Sequence, residues 1–527
     1  MPPFLAFRLW LREGPSAERA LAAAAAAVVL ALVVLALVPV AGESSSPAGL
    51  AVELPAPAGS TGPTGASSAA AGARAHGTTG GASAPGATGS SAVGGSAAAG
   101  GTRATGAGGV AAGGGTGQSS ATPGSPGCAA ARTSSAPGVT ASTVLFDVAN
   151  ISLAGPIGNS TFDVRPDLGK IAQALADDIN EHGGLACGRK VVLKQYDVNP
   201  LDANDSQSKC LQMASDHPFL VFNVGAYLTP AARQCFVQNK VLEMSSTQID
   251  YTELQQSYPY LFSVPAVAEQ MVDAAVAGFA KRGIFSGPKF KKLGLFEDGC
   301  DPPVNKRIDE DLARAGVMSS QVTKYVLDCN VASPPNQIEQ GVVQQKLANA
   351  THVLLASSET NDENYVRIAN GQNFHPQYLV SDYGSNTSGA GTENWGSAFN
   401  GAVGITTTRV GEFSSGVHNP QEVECDKVMR RHGVPGVQHE NKDTSAMGSC
   451  DSFWFVRQAM AGAGDNPTQL SFLQSLSTMG LFRSADLGDG LFNRRGKLTG
   501  GDFEREIVYR GSCSCWHIVD RTMRPVQ

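Results

Sequence analysis

FLVFNVGAYLTPAARQCFVQNKVLEMSSTQ, from Phe219 to Gln248, is the stretch that decides the fold. Its opening apolar run predicts a strand that ends at Val224, and Thr229 with Pro230 predicts the start of a helix. A second short apolar run, at 241–244, predicts another strand. Strand, helix and strand within about thirty residues form one βαβ unit. The polar loops that follow the two strands should therefore lie at the carboxyl ends of parallel strands, where open α/β sheets bind small ligands.

The same alternation of strands and helices extends on both sides of this unit and occurs as two successive series. The predicted strands are 143–150, 190–196, 219–224, 241–244, 260–264, 292–296, 321–327, 352–356, 377–380, 401–408, 505–509 and 515–519. Alternating units of this length form parallel sheets with helices on both faces. We therefore predict an α/β fold with two similar Rossmann-like lobes. After 408 the chain becomes mostly helical before it returns to strands at the end.

The amino-terminal region predicts a membrane segment. Arg8, Arg12 and Arg19 flank an apolar run from Leu21 to Val38, which is long enough to span a bilayer. The basic flank indicates that residues 1–18 stay in the cytoplasm and that the rest is exported. We assign 19–41 as a transmembrane anchor or signal segment. Because small residues follow the run, a cleaved signal peptide remains the alternative, and the protein would then be secreted.

Residues 42–142 are dominated by Gly, Ala, Ser, Thr and Pro. Such a segment buries too little apolar surface to offset its chain entropy, so we predict a disordered linker. Residues 143–527 can form a large core and are predicted to be the folded domain. The formal net charge is -7 and the sequence contains no basic patch, which argues against a nucleic-acid partner.

The ten cysteines are consistent with export to an oxidising compartment. On the order of a thousand pairings are possible, so we pair cysteines by the adjacency of the predicted elements. The predicted disulfides are Cys210–Cys235, Cys300–Cys329 and Cys425–Cys450. Cys513 and Cys515 are too close in sequence for an easy mutual bond, so we expect Cys187 to pair with one of them and Cys128 to be free or intermolecular. A metal site is not predicted, because there is no CxxC pair and no histidine cluster.

Polar side chains recur in the loops that follow the predicted strands. They are Ser152, Tyr227, Thr229, Ser245, Ser246, Thr247, Ser357, Glu359, Asp382 and Tyr383. Hydroxyls and backbone amides suit a carboxylate, and an acidic side chain suits an ammonium group. A single Ser or Thr at such a junction is more often a helix cap, so the prediction of an amino-acid-like ligand rests on several loops sharing one edge. The sequence lacks GxSxG, HExxH and P-loop motifs, so we predict neither an enzyme nor a cofactor.

Three sequence features resemble one family. They are Gly155-Pro156, INEHGGLACGRKVVLKQYD (Ile179–Asp197) and VGAYLTPAARQC with VLEMSST. They are similar to the leucine/isoleucine/valine-binding family of ABC-transporter substrate-binding proteins, which has the type I periplasmic-binding-protein fold. The resemblance implies two lobes joined by three hinge crossings, with lobe 1 at 143–264 and 409–480. Lobe 2 would comprise 265–408 and 481–527.

The resemblance also implies residue roles. Loops matching Gly225–Thr229 and Ser245–Thr247 would hold the ligand from the first lobe. The second lobe would contribute Asp298, Ser357–Glu359 and Asp382–Tyr383, and a Cys210–Cys235 disulfide is typical of members of the family. The implied function is an extracytoplasmic solute-binding protein that captures an amino acid or related amide for an ABC permease. The alternative is a membrane-anchored surface sensor or scaffold of the same fold without a transport role.

Overall fold

The structure is a computed structural model that describes residues 132–152, 165–200, 202–224, 230–330, 333–388, 394–438 and 440–526. The predicted anchor at 19–41, most of the predicted linker, the Gly155-Pro156 loop and Cys128 lie outside these residues. Within the described part of the chain, no helix combines the length and the hydropathy that a membrane span needs.

The first sheet contains five parallel strands in the order β2-β1-β3-β4-β5. The strands are β1 (Thr143–Ile151), β2 (Lys190–Val198), β3 (Leu220–Val224), β4 (Leu242–Ser245) and β5 (Leu261–Ser263). The helices between them are α1 (Leu168–Glu181), α2 (Ala203–Ser215), α3 (Pro230–Gln238) and α4 (Tyr251–Gln256). This order is one of the two common doubly wound arrangements, and its switch point lies between β1 and β3.

The second sheet has eight strands and repeats that order in its parallel part, β7-β6-β8-β9-β10. The parallel strands are β6 (Leu293–Asp298), β7 (Val322–Leu327), β8 (His352–Ala356), β9 (Gln377–Ser381) and β10 (Val403–Thr406). The helices are α5 (Ala268–Lys281), α6 (Pro302–Arg314), α7 (Pro335–Leu347) and α8 (Glu359–Gly371). The remaining strands of this sheet come from the carboxyl-terminal part of the chain and are antiparallel to their neighbours.

The carboxyl-terminal part supplies three helices and five strands. They are α9 (Pro420–Arg431), α10 (Glu440–Ala461), α11 (Gln469–Leu476), β11 (Gly480–Phe482), β12 (Gly490–Phe492), β13 (Phe503–Arg510), β14 (Cys515–Ile518) and β15 (Arg524–Pro525). The three helices belong to the same core as the first sheet, where the rings of Phe222 and Phe453 stack with centroids 4.3 Å apart. β13 pairs with β10, β14 and β15 in the second sheet.

The last passage between the lobes comes later than the boundary at 481 that the resemblance implies. Phe482, Phe492 and Leu498 are buried in the same core as the first sheet. The ring of Phe455 contacts both Phe482 and Phe492, with centroid distances of 5.0 and 5.1 Å. These aromatic contacts hold β11 and β12 on the first lobe, and the chain reaches the second sheet only with β13.

The folded domain also begins before Thr143, the predicted domain start. Val139 is buried at 2% exposure and belongs to the first core. Upstream of it, Ser135 Oγ donates to the carbonyl of Pro467 at 2.6 Å, and the Thr133 amide donates to Asn466 Oδ1 at 2.9 Å. The domain therefore includes several residues from the end of the predicted linker.

The three predicted disulfides, Cys210–Cys235, Cys300–Cys329 and Cys425–Cys450, are present. The expectation for the last two cysteines is wrong, because Cys513 and Cys515 bond to each other. Arg510 pairs with Cys515 across the β13–β14 hairpin, and the turn between them brings the two cysteine Cα atoms to 5.2 Å. That separation lies within the range of disulfides. Cys187 is disulfide-bonded as well, and so its partner is neither of these two.

Candidate functional site

The candidate site lies where loops from the two sheets meet. The chain passes between the sheets three times, at residues 264–267, 407–419 and 493–502. The loops at the carboxyl ends of the two sets of parallel strands, called the first and second rims here, make a direct contact. The backbone amide of Gly384 on the second rim donates to Gln248 Oε1 on the first rim at 3.0 Å. In doubly wound folds, ligands bind at the switch point of the strand order, outside the carboxyl ends of the strands.

The first rim is built mainly from hydroxyl groups at the end of β4. Ser245 Oγ lies 3.0 Å from Thr247 Oγ1 and accepts from the Thr247 amide at 3.3 Å. Ser246 Oγ donates to the carbonyl of Asn223, at 3.0 Å. Ser245 and Thr247 are buried, whereas Ser246 is half-buried. The three residues therefore form one turn that is held by hydrogen bonds within it and to Asn223 of β3.

Ser152 follows β1 at the same edge of the sheet, and its amide donates to the carbonyl of Val198 at 2.9 Å. Ser152 is half-buried. Tyr227 and Thr229, which were predicted to complete this rim after β3, lie outside the described residues. Their contribution to the site remains a prediction.

Arg233, in α3, is a buried cation behind the first rim that the sequence analysis missed. Its guanidinium contacts Glu253 at 2.6 Å, Glu243 at 3.5 Å and Thr247 Oγ1 at 3.5 Å. Only 5% of the arginine is exposed. Its position one turn after the predicted helix start was a usable signal, because an arginine on an otherwise buried face needs charged partners.

The second rim is acidic. Asp298 ends β6 and accepts from the Cys300 amide at 3.0 Å. Asp301 accepts from Tyr383 Oη at 2.9 Å. Burial raises the pKa of both carboxyl groups, and for Asp301 the negative charges of Asp250 and Asp298 raise it further. Because Asp250 precedes α4 in the first lobe, the acidic rim is electrostatically coupled to residues across the cleft.

Behind this rim, Asp362 is the centre of a buried hydrogen-bond network that includes the predicted Ser357. Ser357 Oγ and the Asn386 side-chain amide each donate to Asp362 at 2.7 Å. Burial raises the pKa of Asp362 to about 8. Glu359 lies at the edge of this network, where it accepts a hydrogen bond from Ser388 Oγ at 3.3 Å. Burial raises the pKa of Glu359 to about 7.

Asp382 lies beside the second crossing and is occupied by hydrogen bonds. It accepts from Thr406 Oγ1 at 2.6 Å, from the Thr407 amide at 2.5 Å and from Thr407 Oγ1 at 2.7 Å. Thr387 Oγ1 is a further donor. In this conformation its carboxylate therefore joins the second rim to the chain that leaves β10.

The structure thus brings most of the predicted residues to two facing rims. Ser245, Ser246 and Thr247 stand on one side, and Asp298, Ser357, Glu359, Asp382 and Tyr383 on the other. Besides Arg233, the sequence analysis missed Gln248, Asp301, Asp362 and Asn386. Gln248 immediately follows the predicted serine–threonine loop and Asp301 follows Asp298 by three residues, so extending each loop would have included both.

Comparison with known proteins shows similarity in structure rather than in sequence. No protein-family profile matches the chain, and no curated protein sequence matches it. Solved structures do match. A fatty acid ABC transporter substrate-binding protein from Thermomonospora curvata has a TM-score of 0.55 at 12% identity, covering 74% of this chain and 94% of that one.

Two further structures match similarly. A possible leucine/isoleucine/valine-binding protein from Rhodopirellula baltica has a TM-score of 0.55 at 15% identity, covering 72% of this chain and 96% of that one. A type 1 periplasmic binding protein from Bordetella pertussis Tohama I has a TM-score of 0.53 at 13% identity, covering 73% and 99%. With two sheets of the same strand order, three crossings and these matches, the chain has the type I periplasmic-binding-protein fold.

Proposed function

We propose that this protein is an extracytoplasmic solute-binding protein that captures a small polar ligand between its two lobes for an ABC transporter. The observation that carries the proposal is the hydrogen bond from Gly384 to Gln248, which joins the two rims at the mouth of the cleft. A ligand between the rims would contact both lobes, which is the condition for a ligand to stabilise a closed state.

The chemistry of the rims supports an amino acid or a related amide as the ligand. The first rim offers the hydroxyls of Ser152, Ser246 and Thr247, which suit a carboxylate. The second rim offers the carboxyl groups of Asp298 and Glu359, which suit an ammonium group or an amide N–H. Tyr227 and Thr229 belong to the proposed ligand set, although they lie outside the described residues.

Closure would take place by bending at the crossings. The third crossing contacts the elements that flank the first. The Ser263 amide, in β5, donates to the carbonyl of Leu498 at 2.8 Å, and Gln270 Nε2, in α5, donates to the carbonyl of Gly501 at 3.0 Å. Arg505, which is fully buried, pairs with Glu412 in the second crossing. Hinges of this kind absorb the motion in a few residues while each lobe moves as a unit.

The segment at 19–41 is proposed to hold the protein at the outer face of the membrane, with 42–131 as a linker to the domain. A membrane-tethered receptor of this kind would deliver its ligand to an ABC permease in the same membrane. If the segment is cleaved, the receptor is secreted. Finding a permease that co-purifies with the full-length chain would support the transport role.

The second candidate is a membrane-anchored sensor or scaffold of the same fold. The observation that favours it is that polar side chains of the second rim already have hydrogen-bond partners within the protein. Asp382 accepts four hydrogen bonds from threonine residues, Ser357 is engaged with Asp362, and Tyr383 is engaged with Asp301. A solute would need to displace some of these hydrogen-bond partners. If no solute displaces them, the two rims would serve only as a rigid surface.

The test is ligand-induced stabilisation of the exported region. Amino acids, amides, urea and small peptides are screened by thermal shift, and hits are measured by calorimetry. Asp298→Asn should weaken binding of a hit about tenfold or more, because a charged hydrogen bond contributes about 1.5–3 kcal/mol. Asp197→Asn, at an exposed aspartate in β2, is the matched control and should leave affinity unchanged. If no solute stabilises the protein, the sensor or scaffold role is preferred.

A further inference from the structure

The hairpin between β13 and β14 places three metal-ligating side chains together, far from the cleft residues in sequence. Cys515 and His517 alternate with Trp516 along β14, so both point away from the face on which Trp516 is buried in the second core. Cys513 lies in the turn that leads into the strand. The three residues therefore form a Cys-x-Cys-x-His set on one side of the hairpin.

The distances within this set are those of a chelating group. One ligand atom from each residue lies within 4.8 Å of the other two. Cys513 Sγ is 3.6 Å from His517 Nε2. On the opposite side of the imidazole ring, Ser415 Oγ lies 3.3 Å from His517 Nδ1 and accepts from the Ile518 amide at 3.0 Å. A ring held at Nδ1 presents Nε2 to the sulfur atoms, as is typical of metal-binding histidines.

We propose that reduction of the Cys513–Cys515 disulfide opens a binding site for Cu(I), with Cys513, Cys515 and His517 as ligands. The two thiolates are soft donors of the kind that Cu(I) prefers, imidazole is also a copper ligand, and three donors are sufficient for Cu(I). In the disulfide form the two sulfur atoms are bonded to each other, and no thiolate is available. The site is therefore controlled by the redox state of its own ligands.

An external thiol is the reductant that opens the Cys513–Cys515 disulfide, by thiol–disulfide exchange. A thiolate attacks the Cys513 sulfur and forms a mixed disulfide, and Cys515 leaves as a thiolate. A second thiol then releases Cys513, so that two thiols are oxidised to one disulfide and the pair gains two electrons and two protons. Binding of Cu(I) by both sulfurs displaces the two thiol protons. Cys513 is exposed, which gives the external thiol access to the attacked atom.

The experiment titrates the full-length chain with Cu(I) in competition with the chelator bathocuproine disulfonate, without oxygen. Protein reduced with a phosphine should take up about one equivalent, and untreated protein should take up none. Cys513→Ser/Cys515→Ser should abolish uptake. His517→Gln, which keeps both cysteines, should weaken it about tenfold or more. X-ray absorption of the loaded protein should show two sulfur ligands and one nitrogen ligand.

The matched control is Cys300→Ser/Cys329→Ser, which removes a disulfide whose two cysteines are both exposed. This variant should bind Cu(I) as well as the unmodified chain after reduction. Loss of uptake in the control, or retained uptake in Cys513→Ser/Cys515→Ser, would assign the metal to other thiols. Equal uptake before and after reduction, or none after reduction, would also overturn the proposal.

Discussion

The two lobes have the same strand order, and each has a buried acidic residue at the same position of its central strand. The contacts of these two acidic residues differ. β1 contains Phe146-Asp147 and β6 contains Phe296-Glu297. All four side chains are at most 1% exposed. Lys194 of β2 lies beside Asp147 but binds Asp216 instead, at 2.5 Å. Neither carboxylate oxygen of Asp147 has a hydrogen-bond partner among the described residues.

In the second lobe, a lysine of β7 reaches the buried acid from two positions earlier in the strand register. Lys324 pairs with Leu295, whereas Lys194 pairs with Asp147 itself. Lys324 Nζ lies 3.1 Å from Glu297 and 2.6 Å from Asp309. The ammonium group of Lys324 therefore contacts both carboxylates. Burial is the main cause that raises the pKa of Asp147 and of Glu297 to about 7. The comparison shows that the same strand arrangement accepts a buried acid whether the neighbouring lysine binds it directly, as at Glu297, or binds another carboxylate, as at Asp147.

The largest effect is expected from removing the aromatic residue that both central strands share. Phe146→Ala and Phe296→Ala should each lower the free energy of unfolding by about 3–5 kcal/mol, because each leaves a cavity in a packed core. Denaturant unfolding measures the change. Val326→Ala, at a 47% exposed position in β7, is the control and should change stability by about 0.5 kcal/mol or less. A much smaller loss at one phenylalanine would contradict the equivalence of the two lobes.

The buried acids should differ in how they make stability depend on pH. The pKa of Asp147 is about 7 in the folded protein and 3.8 ordinarily, so the folded state binds more protons between these values. The free energy of unfolding therefore falls as the pH rises from about 4 to about 7. Asp147→Asn should remove this fall and stabilise the protein at pH 8 by up to about 4 kcal/mol, with little effect at pH 4.

Glu297→Gln should stabilise less at pH 8, because Lys324 loses one of its two carboxylate partners. Unfolding free energies of both variants and the unmodified protein, measured from pH 4 to pH 9, test the difference. A larger gain for Glu297→Gln than for Asp147→Asn would show that the lysine contact does not favour the charged form of the glutamate.

The helix that follows the second strand of each lobe, α2 or α7, begins differently, and this should give a smaller effect. Asp202 caps α2 by accepting from the amides of Asn204 and Asp205, whereas Pro334 precedes α7 and has no capping side chain. Asp202→Ala should cost about 1 kcal/mol of stability, and Pro334→Ala a few tenths. Thermal unfolding compares the two variants. Equal losses would mean that the cap contributes nothing beyond the backbone.

The smallest effect on stability is expected where the two lobes touch. Gln248→Ala removes the acceptor for the Gly384 amide, which contributes about 0.5–1.5 kcal/mol to the closed arrangement. Affinity for a solute found in the screen should fall by up to about tenfold, while the unfolding midpoint changes little. Gln212→Ala, at an exposed glutamine in α2, is the control. Unchanged affinity in Gln248→Ala would indicate that this contact does not contribute to ligand capture.

The sequence predicted the regular elements well because their signals are local. Periodicity and helix-start residues located nearly all strands of both parallel sheets, and the adjacency of predicted elements identified three disulfides. It missed the short α4 and the two-stranded sheet of β11 and β12, whose strands have only three residues each. Segments this short contain too few residues to show a period. Their formation depends on the core that they pack against.

The site was only partly predictable for a different reason. The sequence placed serine, threonine and acidic residues in loops after strands, but it could not indicate which of them satisfy one another. Asp382 is engaged by threonines at 387, 406 and 407, and Asp362 is engaged by Ser357 and Asn386. These partners lie up to 25 residues apart in the chain. Such pairings exist only after the strands have aligned.

The sequence by itself determined the doubly wound plan, because apolar periodicity and turn residues act over a few positions and fix each element locally. Only the tertiary structure decided that the first and second rims meet through Gln248 and Gly384, and that Cys513 bonds to Cys515 in a hairpin turn. It also decided that Lys324 forms an ion pair with Glu297, whereas Lys194 forms one with Asp216 rather than with Asp147. Hydrogen bonds and ion pairs form over about 3 Å, so their partners depend on how the packed elements are positioned in space.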